Sequence, residues 1–218
     1  MSLELWMLVL QAAGETLYMV AVSTLLGTAI GLPVGVFLAT SGKGELLAAP
    51  AANRIVGFVV NSTRSIPFII LVVAILPFTR LIAGTSIGTT AAIVPLTVGA
   101  APFIARIVET AIREVDRGLV EASLAMGATP AQIVRKVLLP EALPGLILGL
   151  TLTVVSLIGF SAMVGAVGGG GLGDLGIRYG FQRFMPDVML TVVVILVLLV
   201  QAVQLAGDVL ARRANKRH

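Results

Sequence analysis

Cysteine is absent from this sequence, and its single histidine, His218, is the last residue. Disulfide bonds and thiolate metal sites are therefore excluded, and no cluster of metal-ligating residues is visible. Charged residues make up only 12% of the chain, about half the fraction found in soluble domains. With 57% hydrophobic residues and a mean hydropathy of +1.04, the composition predicts an integral membrane protein with one membrane domain over residues 1–218.

Motifs for nucleotide and nucleophile chemistry are also missing. A P-loop needs glycine, four residues, then Gly-Lys and a hydroxyl residue, but Gly42-Lys43 is followed by Gly44 and lacks the upstream glycine. The segment GFSAM at 159–163 fails as a nucleophile elbow, because methionine occupies the position of the second glycine. We therefore predict no cofactor in this chain and no enzymatic activity of its own.

A glycine-rich stretch at 171–176, GLGDLG, has the spacing of a dinucleotide-binding fingerprint. That motif requires a preceding strand in a βαβ unit, whereas the preceding segment here is a continuous apolar run. We interpret the stretch as a flexible or re-entrant loop in which glycine allows close approach to neighbours.

Five apolar stretches are long enough to cross a hydrocarbon core of about 30 Å as helices, which takes roughly 20 residues each. None of them alternates in the manner of a membrane β-strand, so helix is the predicted form. No acidic residue falls in the middle of a predicted span, which disfavours a proton-coupled carrier: Glu15 precedes the first, Glu109 follows the third, and Asp208 is near the end of the fifth. The stretches are 16–40, 55–78, 86–107, 143–164 and 188–210.

The basic residues are divided unequally between the two sides that five spans create. Twelve of the 15 fall on one side, which the positive-inside rule makes cytoplasmic, so the pI of about 10.1 indicates topology rather than nucleic-acid binding. The N-terminus is then predicted outside and the C-terminus inside. The predicted cytoplasmic set is Lys43, Arg54, Arg64, Arg106, Arg113, Arg117, Arg135, Lys136, Arg212, Arg213, Lys216 and Arg217, against Arg80, Arg178 and Arg183 outside.

The longest segment suited to water is 118–145, between the third and fourth spans. Gly127 suits the left-handed conformation that ends a helix, and Thr129 with Gln132 forms a capping box that starts the next one. Pro130 then occupies the first helical position, where its missing N–H is harmless. These signals predict a helix to about residue 126, a sharp turn and a second helix, with 133, 134, 137 and 138 on its apolar side and 135 and 136 facing elsewhere.

Two other patterns leave alternatives open. Gly27, Gly31 and Gly35 lie on one face of the first span, and that face suits either a contact across a dimer or packing within one subunit.

In the second span, Pro67 predicts a kink or the end of a preceding amphipathic helix. Arg64 is then either an anchor at the membrane surface, which we favour, or a charge that faces a pathway.

Within segment 118–145, EAS at 121–123 is followed by Gly127, Ile133 and the run LLP at 138–140. This pattern resembles the EAA signature of ABC importer permeases, which lies in a cytoplasmic loop in that family. The resemblance extends to the methionine-importer branch of the family over segments 64–71, 77–80, 92–106, 121–145 and 159–173. Two positions depart from the pattern: Ser123 replaces a frequent second alanine, and Phe160 stands where relatives carry tyrosine.

The resemblance implies an all-α membrane fold of the type I ABC importer permease class, with five transmembrane helices and a cytoplasmic pair of coupling helices. We use the name coupling loop for residues 114–142. The implied partners are a second copy of the chain, two ATPase subunits that bind ATP and Mg²⁺, an external substrate-binding lipoprotein, membrane lipid and the substrate methionine. The implied contacts with the ATPase are Glu121, Ala122, Ser123, Gly127, Ala128 and Arg135.

The corresponding mechanism is alternating access at the dimer interface of a multi-pass protein of the cytoplasmic membrane. Phe160, Ser161 and Met163 are the candidates for the pathway lining, with packing of the fourth span as the alternative. Other possible functions are a permease for another amino acid or small solute, and a membrane scaffold that transports nothing.

Overall fold

The computed structural model describes residues 3–215, and within this range every regular element is helical, which confirms the all-α class. The predicted positions of Lys216, Arg217 and His218 lie outside the described residues. The elements are α1 (Leu3–Thr40), α2 (Pro50–Ser65), α3 (Phe68–Ala74), α4 (Leu76–Ala83), α5 (Thr89–Arg113), α6 (Arg117–Ala125), α7 (Pro130–Ile133), a π-helical turn (Val134–Leu138), α8 (Leu139–Ala166), α9 (Gly171–Leu175), a second π-helical turn (Gly176–Phe181) and α10 (Pro186–Ala214).

Four of the five predicted spans are single long helices: α1, α5, α8 and α10. Each is longer than its predicted span, because helical backbone continues into the residues that flank that span. The clearest case is α1, which begins at Leu3 instead of near residue 16 and has 38 residues.

The second predicted span is not one helix. The amphipathic α2 ends at Ser65, Ile66 is extended, and Pro67 caps α3, with a bend of 102° between α2 and α3. Proline disfavours helical backbone at the residue before it, which explains the extended Ile66. Of the two effects predicted for Pro67, the end of an amphipathic helix is therefore the one that occurs.

The stripe of Gly27, Gly31 and Gly35 packs against α5 of the same chain. A Cβ at Gly27 would lie 3.0 Å from the Ala100 Cβ, and one at Gly31 would lie 2.7 Å from the carbonyl oxygen of Ala101. The absence of side chains lets the two helix backbones approach closely, as small residues do in membrane helices. Of the two alternatives for this stripe, packing within one subunit is the one observed.

One end of the bundle collects the C-terminus of α1, the C-terminus of α5 and the coupling loop. Asn53 of α2 donates to the carbonyl of Leu38 at 2.8 Å, and Arg117 of α6 pairs with Glu45 at 3.6 Å. The C-terminus of α10 reaches the same end, where Asn215 and Glu114 line one surface pocket. The elements that carry the predicted cytoplasmic basic residues thus meet at a single end of the molecule.

Hydroxyl side chains within the apolar helices donate to carbonyls of their own helix. Thr24 donates to Val20 at 2.7 Å, and Ser156 donates to Leu152 at 2.9 Å. Such bonds remove the cost of an unpaired donor where lipid offers no partner. These residues therefore fit a membrane span without a polar neighbour.

Two of the acidic residues that flank the predicted spans, Glu15 and Glu109, lie inside the helices and have specific partners there. Glu15 is in α1, and Glu109 is buried in α5, where it pairs with Arg106 and, at 2.9 Å, with Arg113. The boundary prediction was wrong because both helices extend past the apolar windows. At 109 the two arginines, one turn away on either side, supply the charge that burial of a carboxylate requires.

The glycine-rich stretch after α8 is folded rather than open. The N–H of Gly171 donates to the Glu15 carboxylate at 2.8 Å, and the N–H of Leu172 donates to the Thr16 hydroxyl at 2.9 Å. Residues of α1 thus cap α9 across 156 positions of the sequence. A Cβ at Gly171 would lie 2.7 Å from the Thr16 hydroxyl, so the predicted close approach through glycine is present.

Candidate functional site

The turn in the coupling loop has the predicted local chemistry. Gly127 has a φ of +80°, its N–H donates to the carbonyl of Leu124 at 2.9 Å, and the N–H of Ala128 donates to Ser123 at 3.0 Å. These two bonds form a Schellman motif that ends α6. Both bonds of the capping box between Thr129 and Gln132 then start α7.

The start of α6 carries a signal that the sequence prediction did not use. Asp116 is the N-cap of α6, and its carboxylate accepts from the N–H of Gly118. An aspartate before a short apolar helix is a common capping residue, so this signal was available in the sequence. The first coupling helix therefore begins at Arg117, within the predicted coupling loop.

The coupling loop has one buried face and one exposed face. Ile133 and Leu138 are buried in the main core, which they share with α5 and α8. Glu121, Ala122 and Gly127 are exposed, whereas Ala128 is half-buried, and Arg135 and Lys136 are exposed as predicted. The predicted contact residues are thus mainly on the outward face.

Two apolar side chains lie on that outward face and were not among the predicted site residues. Met126 is 81% exposed and Leu124 is 48% exposed. Apolar side chains exposed close together on a polar segment are candidates for contact with another protein. The sequence could have indicated them, because Leu124 and Met126 flank Ala125 directly before Gly127, the glycine of the turn.

Ser123 differs from its neighbours because it is buried. Its hydroxyl donates to the carbonyl of Leu119 at 2.7 Å, within α6. The site accepts a small polar residue because this bond satisfies the hydroxyl. In the described structure Ser123 therefore lies beneath the exposed face rather than on it.

The second coupling helix runs directly into the fourth span. Residues Pro130–Ala166 form one continuous helix, interrupted only by the π-helical turn at Val134–Leu138. Pro140 and Pro144 have no N–H to donate, so carbonyls in the preceding turns lose their usual partners, and a widened turn accommodates this change. The joint at Gly127 is thereby connected without a break to the residues predicted to line the pathway.

Phe160 lies at the contact between α8, α3 and α5. Its ring stacks on Phe68 with centroids 4.3 Å apart and an interplanar angle of 11°, and the Phe103 ring is 6.5 Å away. Phe160 also lines a small cavity of about 90 Å³ between α5 and α8. A phenylalanine here needs no polar partner, so this position does not require the hydroxyl of a tyrosine.

The other two predicted pathway residues point in different directions. Ser161 is buried, and its hydroxyl donates to Ile158 at 2.7 Å. Met163 is 45% exposed. The structure thus brings only Phe160 to the α5–α8 cavity, while Met163 is on the free surface of the helix.

A charged group near the coupling loop was missed because Glu109 was assigned to a loop. Besides binding Glu109, Arg106 donates to the carbonyl of Gly57 at 3.2 Å, and Arg113 donates to Leu38 at 3.4 Å. The cluster therefore connects α5 to α2 and α1 at the end of the bundle that carries the coupling loop. The available signal was the i, i+3 and i, i+4 spacing of opposite charges around Glu109.

Comparison with known proteins agrees with this geometry. The chain is 57% identical over 210 residues to the probable D-methionine transport system permease protein MetI of Vibrio cholerae, covering 96% of this chain and 93% of that protein. It is 52% identical over 217 residues to the corresponding Pasteurella multocida protein, with 100% of both chains covered.

Solved structures show the same fold. A chain of a crystal form described as inward-facing conformations of the MetNI methionine ABC transporter has a TM-score of 0.98 at 56% identity, covering 99% of this chain and 100% of that one. A chain of an amino acid ABC transporter crystallised with histidines has a TM-score of 0.77 at 19% identity, covering 94% of both chains, which shows the fold alone.

The family match covers the elements described above, from the later part of α1 onward. Residues 31–217 match the family described as binding-protein-dependent transport system inner membrane component. This range includes the coupling loop, the α5–α8 cavity and the glycine-rich segment that α1 caps. The chain therefore belongs to the family of inner-membrane components of binding-protein-dependent transport systems.

Proposed function

We propose that this chain is the permease subunit of an ATP-driven importer for methionine, working as a homodimer with two ATPase subunits and an external binding lipoprotein. The observation that carries the proposal is the continuous helix Pro130–Ala166. It begins at the capped joint of the coupling loop and passes the α5–α8 cavity. The names of the relatives and the MetNI structure support both the substrate and the ATPase partner.

Movement at the coupling loop has a direct mechanical route to the membrane domain. From Pro130 to Phe160 the helix covers about 45 Å at 1.5 Å per residue. Pairing of the ATPases around ATP and Mg²⁺ draws the two coupling loops of the dimer together, and the helix carries this displacement into the membrane. Separation of the ATPases returns the bundle to the inward-open arrangement.

The contact with the ATPase uses the exposed face of the coupling loop. Glu121, Ala122 and Gly127 lie on this face, with Arg135 and the half-buried Ala128 next to them. Met126 and Leu124 supply the apolar contact area, and Ser123 holds the helix beneath them. A groove on the ATPase with apolar walls and a basic or polar rim would complement this surface.

The pathway lies between two copies of the chain, where Met163 is on the free surface of α8 and Phe160 faces the α5–α8 cavity. Phe160 and Met163 present an aromatic ring and a thioether, which suit an apolar and adaptable substrate side chain. Ser161 supports the helix from its buried side. The coupling loop faces the cytoplasm, the N-terminus faces outward, and the membrane is the cytoplasmic membrane.

The test is reconstitution of the permease with its ATPase and binding-protein partners in lipid vesicles. We expect ATP-dependent accumulation of labelled methionine, measured for the D and L enantiomers separately because the relatives are named for D-methionine. Accumulation of another amino acid instead would assign the permease to a different solute. Absence of any accumulation by an intact complex would favour a scaffold role and contradict the proposal.

A further inference from the structure

Two neighbouring cavities share part of their walls on one face of α5, and we call them together the groove: the Phe160 cavity and a second, more polar one. The first, of about 90 Å³, includes Phe103 and Ile107 in its wall, and so does the second, of about 390 Å³. The larger cavity is open to the surface on one side and has room for a small molecule. The two cavities therefore lie side by side along the same face of α5.

The two ends of this groove differ in chemistry. At the Phe160 end the walls are apolar, and the hydroxyls of Thr153 and Ser156 donate to carbonyls of their own helix. The other end is lined by Arg64, Arg106 and Glu114, together with Thr110, Ala111 and Gly145. One end thus suits an apolar side chain, and the other suits a group that carries both signs of charge.

Arg64 is held in place without using its hydrogen-bond donors. Its guanidinium carbon lies 4.8 Å from the centre of the Phe103 ring. In residues 3–215 no carboxylate or carbonyl accepts a hydrogen bond from Arg64, and no ion pair includes it. Stacking on an aromatic ring orients a guanidinium while leaving its edge open to a carboxylate.

Arg106 adds a second positive charge to the wall of the same cavity. One of its terminal nitrogens pairs with Glu109 and the other donates to Gly57, but its Nε is buried without a partner in the described part of the chain. Because the Nε is buried, a molecule in the cavity meets the positive charge of Arg106 and not this donor. Across the same cavity, the carboxylate of Glu114 is exposed and supplies the opposite charge.

We propose that this end of the groove binds the zwitterionic head of the transported amino acid, with Arg64 contacting its carboxylate, Arg106 assisting and Glu114 facing its ammonium. The inference rests on the proposed function, because it takes an α-amino acid as the substrate. The side chain of the substrate then lies along Phe103 and Ile107 toward Phe160. The site gives the inward-open permease a resting position for the substrate near the cytoplasmic end of the bundle.

The absence of cysteine makes a direct binding test possible. Thr110→Cys places a thiol in the wall of the cavity, and its reaction with a maleimide is followed in the nucleotide-free complex of permease and ATPase. We expect methionine to slow the labelling and methionine amide, which lacks the carboxylate, to slow it far less. Gln182→Cys, exposed after the second π-helical turn, is the control thiol that methionine leaves unprotected.

The arginine is tested in the same assay. Arg64→Gln raises the methionine concentration for half-protection by about tenfold or more, because a charge-assisted hydrogen bond is lost, and Arg64→Lys restores part of it. The matched control is Arg54→Gln, an exposed arginine of the same helix that does not line the cavity. Arg64 is substituted rather than Arg106, because replacing Arg106 would also break its ion pair with the buried Glu109.

Three outcomes would contradict the proposed site. The thiol of Thr110→Cys does not react with the maleimide, or methionine does not slow its labelling. The third is that Arg64→Gln leaves the methionine concentration for half-protection unchanged. In each case Arg64 would act as an anchor at the membrane surface. The proposed function is judged separately, by methionine accumulation in vesicles that contain the unsubstituted complex. Accumulation without protection removes the site and leaves the permease function standing.

Discussion

Gly127 illustrates how a single residue shapes the coupling loop. Its φ of +80° is one that side-chain-bearing residues avoid, and no other atom lies within 4 Å of where a Cβ would be. A substitution there therefore strains the backbone without a steric clash. Any effect reports on the turn itself rather than on packing around it.

Gly127→Val should uncouple ATP hydrolysis from uptake. A β-branched residue destabilises the left-handed turn by about 1–2 kcal/mol or more, which changes the angle between α6 and α7. The measurement is methionine accumulated per ATP hydrolysed in reconstituted vesicles. Gly127→Asn should retain more coupling, since asparagine tolerates this conformation.

Gly84→Val is the matched control for that experiment. Gly84 ends α4 with a φ of +74°, and a Cβ added there would likewise meet no atom within 4 Å. It lies outside the coupling loop, so the same strain should leave the ratio of uptake to hydrolysis unchanged. Equal loss of coupling in both variants would contradict the role of the Gly127 joint.

Met163→Glu should abolish uptake while the complex still assembles. Met163 is 45% exposed on α8, and a charged side chain within a membrane helix costs about 2.5–3.5 kcal/mol. A cost of that size added to the barrier for transport slows uptake by about a hundredfold. Met163→Leu, which keeps the volume and the apolar character, should transport normally; unchanged uptake with Met163→Glu would remove this residue from the pathway.

At the scale of elements, the packing of α1 on α5 depends on the three glycines. A Cβ at Gly31 would lie 2.7 Å from the Ala101 oxygen and 2.8 Å from the Ile104 Cβ, so it meets backbone that cannot move aside. At Gly14, on the same helix, a Cβ would meet no atom within 4 Å. The two glycines therefore provide a matched pair.

Gly31→Val should destabilise the chain by about 1–3 kcal/mol, the usual cost of overpacking. The measurement is the temperature at which the purified protein loses its monodisperse peak in detergent. Gly14→Val should change this temperature little, since both variants add the same side chain to one helix. A large drop for Gly14→Val and none for Gly31→Val would show that the α1–α5 contact is not limiting.

At the scale of the whole molecule, the two ends of the bundle carry different elements. The coupling loop and the Arg106–Glu109–Arg113 cluster share one end, whereas the segment capped by Glu15 and Thr16 contacts the N-terminal half of α1. The positive-inside rule assigns the first end to the cytoplasm. This assignment predicts the side on which the proposed ATPase partner docks.

Single cysteines test this orientation directly. A membrane-impermeant thiol reagent outside intact cells should label Gln182→Cys, in the loop before α10, because that loop faces outward. Lys43→Cys, in the exposed loop after α1, should react only after the membrane is permeabilised. Labelling of Lys43→Cys in intact cells would reverse the topology and place the coupling loop outside.

The fold class and the turn of the coupling loop were predictable because the responsible forces act within a few residues. Transfer of apolar side chains into lipid depends on composition, and a cap depends on residues three or four positions apart. Gly127, Thr129, Pro130 and Gln132 therefore behave as the sequence alone indicates.

The break after α2 was predicted only as one of two effects of Pro67, because whether a proline bends a helix or ends it depends on the neighbours available to its freed carbonyls. Helix ends were also misjudged at Glu15 and Glu109. Both are acidic residues stabilised by partners, one by an N–H 156 positions away and the other by adjacent arginines. A hydropathy window does not register those partners.

The sequence by itself determined that this is a helical membrane protein with a glycine-jointed, capped loop between two spans. Only the tertiary structure decided that the glycine stripe faces α5, that Glu109 is buried between arginines and that Arg64 meets Phe103 beside the α5–α8 groove. Lipid is as apolar as the helix surfaces, so burial alone does not select helix partners. The selection comes from the fit of surfaces far apart in sequence, and that fit exists only once the helices are packed.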